Sequence, residues 1–334
     1  MNVLLLGKTG SIMHWTEDVA SDLRISGHTV TVVPTRDPRL SKSLERALLS
    51  RAIGAPLAAH IVRRIRRLAP DLILAIGCLD ELPLTLFQHI AEETSGPPMV
   101  AWIGDTFTEQ MAEIAGLFDV VAYTDTGMVD LHKKLGFRSA SAFVPLGATR
   151  AARPRRAPAE RIPALAFVAA PTPNRRELLA DITEPVAIFG PGWQHASELA
   201  HHPIDARRIG EPELAVIYAS HLGVLNIRHA IYVINGLNHR HFAPYIQGTP
   251  VITDAQPDIP HCFDIGTEML TYQNAGDLNE LCATLRRDPA RATAIGIAGQ
   301  RRVLACHTYA HRLDTIAALA GARTNPAPPA YASG

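Results

Sequence analysis

The stretch His221-LGVLNIRHAIYVINGLNHRHFAPYIQGTPVIT-Asp254 decides how the chain is read. His221 to Asn226 is an unbroken apolar run that closes on a polar residue, and a glycine-containing loop follows through Gly236. A short helix is expected to carry Arg240 and Phe242; Gly248 then precedes a second apolar run, Pro250 to Thr253. Two buried strands separated by a loop and a helix are the repeating unit of an α/β sheet. In such sheets strand carboxyl ends and helix amino termini converge on one crevice, where unpaired N–H groups favour a phosphate. The phosphate candidates here are Arg240, Asn226, Gly236, Asn238, Phe242 and Gly248.

Working outward, the preceding segments repeat the pattern. Leu165 to Ala169 reads as a strand, and Pro171-Thr172-Pro173-Asn174-Arg175-Arg176-Glu177 leads into a helix. Val186 to Phe189 is a strand running into the turn Gly190-Pro191-Gly192-Trp193, and Ile204 to Ile209 is expected to be another. Glu211-Pro212-Glu213 opens a helix with proline in its first turn, a position where the missing N–H costs nothing. After Asp254 come a loop with Pro257 and Pro260, a strand over Glu268 to Thr271, two amphipathic helices (278–287 and 290–305) and a last helix from His307 to about Ala320. The tail from Thr324, rich in Pro, Ala and Gly, is expected to be disordered.

The first half opens with a βαβ unit: strand Asn2 to Leu6 closed by Gly7, helix His14 to Arg24, strand Thr29 to Val33. Gly7-Lys8-Thr9-Gly10-Ser11 lacks the spacing of a nucleotide-hydrolysing P-loop. Arg39 to Arg67 is helical and basic, which fits a solvated helix face or a surface that approaches anionic lipid or a phosphate-bearing partner. Strands at Asp71 to Gly77, Met99 to Ile103 and Asp119 to Tyr123 follow, and Asp105 stands at a strand end as a binding carboxylate or a helix cap. Pro145-Leu146-Gly147-Ala148 ends this domain, and the arginine- and proline-rich run Thr149 to Pro163 reads as a linker. The expected organisation is 1–148, linker 149–163, 164–306, a crossing helix 307–322 and a tail 323–334.

The whole chain sets further bounds. At 334 residues it is long enough for two domains with substantial cores. Lys and Arg balance Asp and Glu at 32 each, so net charge is zero, which argues against a nucleic-acid polymer as partner. No apolar run reaches the roughly 18 residues that span a bilayer, and MNVLLLGKTG reads as a strand rather than a leader, so a cytoplasmic location is expected. The four cysteines are scattered without a C-x-x-C pair, the pattern of buried reduced thiols rather than of structural zinc.

Taken in order, Leu225-Asn226, Arg240 with Phe242, Gly248, Thr253-Asp254, Glu268 within GTEMLTY, and His307-Thr308-Tyr309 with Arg312 form one pattern over about a hundred residues. That pattern resembles the second half of the GT-B glycosyltransferases, most closely the CgeB-like, spore-maturation-type group. The resemblance implies two Rossmann-like domains facing a cleft. It also implies a nucleotide-sugar donor held in the second domain, with Arg175 or Arg176 as a further contact to the diphosphate. Glycosyl transfer without a metal or other cofactor follows from it, because this fold neutralises the leaving diphosphate with helix dipoles and basic side chains. Gly10, Ser11 and Asp105 fall on the acceptor side, and His14 stands where inverting members with a Gly-loop-His opening carry a general base. The resemblance leans to retention, His14 to inversion. Group members usually have a glutamate directly after Arg-x-Phe, used in related retaining enzymes to hold the donor ribose, and this chain has Ala243. A catalytically silent nucleotide-sugar binder of the same fold is the alternative, and a binder of another phosphorylated ligand a third reading. The acceptor is a glycan, lipid-linked glycan, protein or small molecule, and the basic Arg39–Arg67 region is the candidate for peripheral membrane contact.

Overall fold

The computed structural model describes residues 1–9, 15–36, 62–63, 65–82, 84–93, 96–151 and 161–321. Gly10, Ser11, His14, most of the basic Arg39–Arg67 segment, most of the linker and the tail lie outside them. Two compact units divide the chain: Met1–Pro145 together with the segment from Tyr309, and Leu146–Thr308. Each contains a six-stranded sheet.

In the first unit β1 (Asn2–Lys8), β2 (Thr29–Arg36), β3 (Leu72–Gly77), β4 (Met99–Ile103), β5 (Val120–Tyr123) and β6 (Ala140–Phe143) lie in the order β2-β1-β3-β4-β5-β6. All neighbours are parallel. The inner strands LILAIG, MVAWI and VVAY are continuous apolar runs and are buried nearly end to end, as parallel strands covered on both faces must be. Helices α1 (Trp15–Ile25), α2 (Leu84–Glu93), α3 (Ala112–Ala115) and α4 (Thr126–Lys134) belong to this unit. Asp125 caps α4 by accepting from the Gly127 N–H at 2.8 Å. The final helix, Tyr309–Leu319, docks here: the fully buried Asp22 of α1 accepts from the Ala310 N–H at 2.9 Å. A carboxylate there complements both the unpaired N–H groups and the positive end of the helix dipole.

The second unit contains β7 (Ile162–Val168), β8 (Val186–Phe189), β9 (Ile204–Asp205), β10 (His221–Asn226), β11 (Val251–Asp254) and β12 (Leu270–Tyr272). Their order is β12-β11-β10-β7-β8-β9, again parallel. Read from β9, this is the 3-2-1-4-5-6 arrangement of doubly wound nucleotide-binding sheets. The winding reverses between β7 and β10, so the crevice that such folds use for ligands lies at the exits of those two strands. Helices α5 (Pro173–Ala180), α6 (Glu211–Ser220), α7 (Ala275–Arg287) and α8 (Pro289–Cys306) complete the unit. Leu165, Phe167, Ile188, Trp193, Leu225 and Ile252 fill one core cluster, while Ala166, Ile217, Tyr218 and Val224 form a smaller one.

Several local expectations are corrected. The strand expected over Ile204 to Ile209 is only two residues long, because the Asp205 carboxylate accepts from the Arg207 N–H at 3.1 Å and turns the chain out of the sheet. The short helix with Arg240 and Phe242 is two successive 3₁₀ turns, His239–His241 and Ala243–Gln247, with Pro244 in the first turn of the second. Strand Glu268 to Thr271 is shifted to Leu270–Tyr272, and Glu268 is instead gripped by Arg302 Nε at 3.0 and 2.9 Å. All four cysteines are free, but only Cys262 and Cys282 are buried; Cys306 is exposed.

Candidate functional site

The exit of β10 sets the site. Asn226, fully buried, ends that strand, and its side chain ties it to the 238–240 turn and to β11. Its Oδ1 accepts from Asn238 Nδ2 at 3.1 Å and from Arg240 Nε at 2.9 Å. Its Nδ2 donates to Thr253 Oγ1 at 3.1 Å, at the exit of the neighbouring β11. Asn238 in turn caps the first 3₁₀ turn by accepting from the Arg240 N–H at 2.9 Å.

His241 locks the reverse side. Its Nδ1 accepts from the Asn238 N–H at 3.0 Å, which leaves the proton on Nε2, where it points to Thr253 Oγ1 at 3.0 Å. Burial pulls this imidazole down to about 3, so it is neutral at physiological pH. With Asn226, Asn238, His241 and Thr253 holding one another, the base of the Arg240 side chain has one available direction.

Arg240 is therefore a half-occupied fork. Its Nε is committed to Asn226, while its two terminal nitrogens have no partner among the described residues. Burial lowers its pKa, the usual cost of an incompletely compensated cation, and an anion would relieve it. Arg175 lies in the same crevice. It is 4 % exposed and bridges the exits of the two central strands, donating from Nη1 to Ala170 O at 2.8 Å, and from Nε and Nη2 to Ile227 O at 3.2 and 3.1 Å. Burial, then the neighbouring Arg240 charge, brings it down to about 10. Asp254, at the β11 exit, is the acidic counterweight. Burial raises its carboxyl, against the opposing pull of Arg228, whose N–H and Nε lie 3.0 and 3.4 Å from it.

The other candidates fall elsewhere. Arg176 points outward and is held bidentately by Glu198, at 2.6 and 2.9 Å, on the rim of an open hollow of about 630 Å³ at the start of α5. Phe242 is wholly buried against Phe263 and His307, so it seats the turn and cannot touch a ligand. Gly248 is also corrected: it precedes β11, at the sheet end opposite Asn226, in the left-handed conformation (φ +64°) that glycine adopts without strain. Gly236 is buried in the loop after β10. The Gly190-Pro191-Gly192-Trp193 turn buries its tryptophan, whose Nε1 donates to Ala169 O at 2.6 Å. In the first unit Asp105 Oδ2 accepts from Cys78 Sγ at 2.9 Å. Sequence reasoning misses His241. The signal for His241 was present: an Asn cap with a side chain three residues on that reaches back to the cap N–H.

Two doubly wound units in one chain, the second with its reversal point lined by arginines, define the GT-B fold. Residues 173–318 match the sequence model of the family described as "Glycosyl transferase-like". No curated protein matches the chain. Among solved structures, sucrose-phosphate synthase from Thermosynechococcus elongatus is similar with a TM-score of 0.66 at 12 % identity, over 96 % of this chain and 98 % of that one. HepE from Anabaena, solved in complex with UDP-glucose, is similar with a TM-score of 0.66 at 14 % identity, over 95 % and 98 % of the two chains. The trehalose-6-phosphate synthase OtsA is similar with a TM-score of 0.64 at 10 % identity, over 96 % and 99 %.

Proposed function

We propose that the chain is a glycosyltransferase of the CgeB-like group that moves a sugar from a nucleotide-sugar donor to an acceptor hydroxyl. The observation that carries this reading is the open Arg240 fork at the reversal point of the second sheet, oriented by Asn226 and Asn238. A guanidinium with two unengaged nitrogens matches the paired oxygens of a phosphate. As the glycosidic bond breaks, charge builds on the leaving diphosphate, and a preoriented cation in a partly desolvated crevice stabilises that charge without reorganising. Arg175 adds positive potential but reaches the ligand through the backbone it braces, since its nitrogens are already engaged. In this reading the reaction needs no divalent ion, and chelator leaves turnover unchanged. Retention at the anomeric carbon is favoured. If the reaction inverts, His14 takes the acceptor proton, and Gly10, Ser11 and Asp105 serve the acceptor side. The acceptor is a glycan, lipid-linked glycan, protein or small molecule met in the cytoplasm, with the Arg39–Arg67 region as the surface for any membrane contact.

Uridine donors are the first to test, since HepE is a structural neighbour solved with UDP-glucose. In a thermal-shift panel of nucleoside diphosphates and nucleotide sugars, a ligand at about a hundred times its dissociation constant stabilises by roughly 2.7 kcal/mol. One nucleotide family should shift the wild type and fail to shift Arg240→Ala. If no nucleotide shifts the wild type, the proposal is wrong. A second reading, a catalytically silent binder, is favoured by Ala243, which packs against the cluster that contains Tyr218 and presents no carboxylate. It predicts the same shift with neither transfer nor hydrolysis of the donor.

A further inference from the structure

One buried polar group near the fork is unexplained by the fold. Tyr218 lies near the end of α6, is 3 % exposed, and packs its ring among Ala166, Ile217 and Val224. Its carbonyl accepts from Thr249 Oγ1 at 2.8 Å, which ties the helix end to the segment leading into β11. Its hydroxyl, in contrast, has no partner among the described residues, yet it is not one of the side-chain polar atoms sealed from solvent. A buried tyrosine normally satisfies its O–H within the protein, and this one is left facing space that a ligand oxygen can reach.

The neighbourhood says what would satisfy it. Tyr218 and Arg240 lie close enough to influence each other's ionisation, and Ala243, three residues after Arg240, packs in the Tyr218 cluster. Burial lifts the phenol to about 12, so it remains a protonated donor across the physiological range. The groups left open here are a phenolic O–H and two guanidinium nitrogens. The nearby carboxylate of Asp254 is already taken up by Arg228, Thr253 and Gln256. Two cationic guanidinium donors beside a phenol that can also donate, with the nearby carboxylate engaged, call for an anion with several oxygens.

We infer that Tyr218 is a binding residue of the diphosphate seat, its hydroxyl donating to the same phosphate group that Arg240 holds. This rests on the reading of the site as a nucleotide-sugar site. The ring anchors the contact in the core, so the O–H is held in place before the ligand arrives and loses little entropy on binding. The contact is to phosphate and not to the base or sugar, so it is blind to which nucleoside is attached.

The test is titration calorimetry of UDP, ADP, GDP and dTDP into wild type and Tyr218→Phe, with the melting temperature of each free protein read alongside. Phe keeps the ring, so the free proteins should melt together. Every diphosphate that binds should weaken by about tenfold, the loss expected for one hydrogen bond to a charged group. Where two or more bind, the factor should be the same for each base. A loss under twofold, or a loss that differs between bases, overturns the inference while leaving the nucleotide site standing. If none of the four binds the wild type, the nucleotide reading fails and takes this assignment with it.

Discussion

Both sheets are parallel and doubly wound, the first reversing between β1 and β3 and the second between β7 and β10, yet the exits of their inner strands are built from different chemistry. In the second unit the exits of β7, β10 and β11 converge on Arg175, Asn226, Arg240 and Thr253, a set dominated by donors. In the first unit the exits of β3 and β4 bring together Cys78 and Asp105, a thiol and a carboxylate. Both crevices follow from strand order alone; their ligands do not. The contrast teaches that the fold fixes where a ligand goes and a few side chains fix its sign. The donor-rich exits of the second unit suit an anionic ligand.

The largest expected effect breaks the second crevice by removing its support. Phe242→Ala should lower stability by about 4 kcal/mol in urea denaturation, because it empties a fully buried site packed on Phe263 and His307 beneath the Arg240 turn. The next tests the sign argument directly. Arg240→Ala should weaken nucleoside diphosphate binding by a hundredfold or more, about 3 kcal/mol, whereas Asp105→Asn should leave it within twofold. Equal losses in the two variants would dissolve the contrast between the crevices.

The smallest effect concerns pH. His241 sits folded at about 3 against 6.5 when unfolded, so the unfolded chain binds the extra proton first as pH falls. Its contribution is therefore full above pH 6.5 and is lost progressively between 6.5 and 3, roughly 2 kcal/mol by pH 5. Burial also lowers His132 in the first unit, so the diagnostic quantity is the difference between wild type and His241→Gln. The variant should show the shallower loss of stability on acidification; parallel curves would refute the neutral, buried His241.

Much of the architecture was legible because parallel strands buried on both faces leave unbroken apolar runs, as β3, β4 and β10 do. β9 was overcounted because the turn formed by Asp205 and Arg207 is a side-chain event inside an apparently strand-like run. At the site, Asn226, Asn238 and Arg240 were legible from their places after a strand exit. Arg175 was visible as an arginine in the right region, but that its nitrogens are spent on Ala170 and Ile227 depends on how two distant segments meet. Phe242 and Gly248 had the right spacing for site residues, and only packing shows that one is interior and the other lies at the opposite sheet end. Tyr218 was hidden in the apolar run of a helix, where nothing local marks its hydroxyl as unmet.

Ala148 donates its N–H to His307 O at 3.0 Å, and a Cβ on Gly147 would lie 2.7 Å from that same oxygen. The start and finish of the second unit are thus clasped together, with Leu146 and Thr308 as its limits. In evolutionary terms the second unit is a cassette, entering and leaving its host chain through one doorway. Such a segment can be circularised with a short linker and reopened at a surface loop, and can be exchanged for a homologous cassette without moving the ends of the recipient.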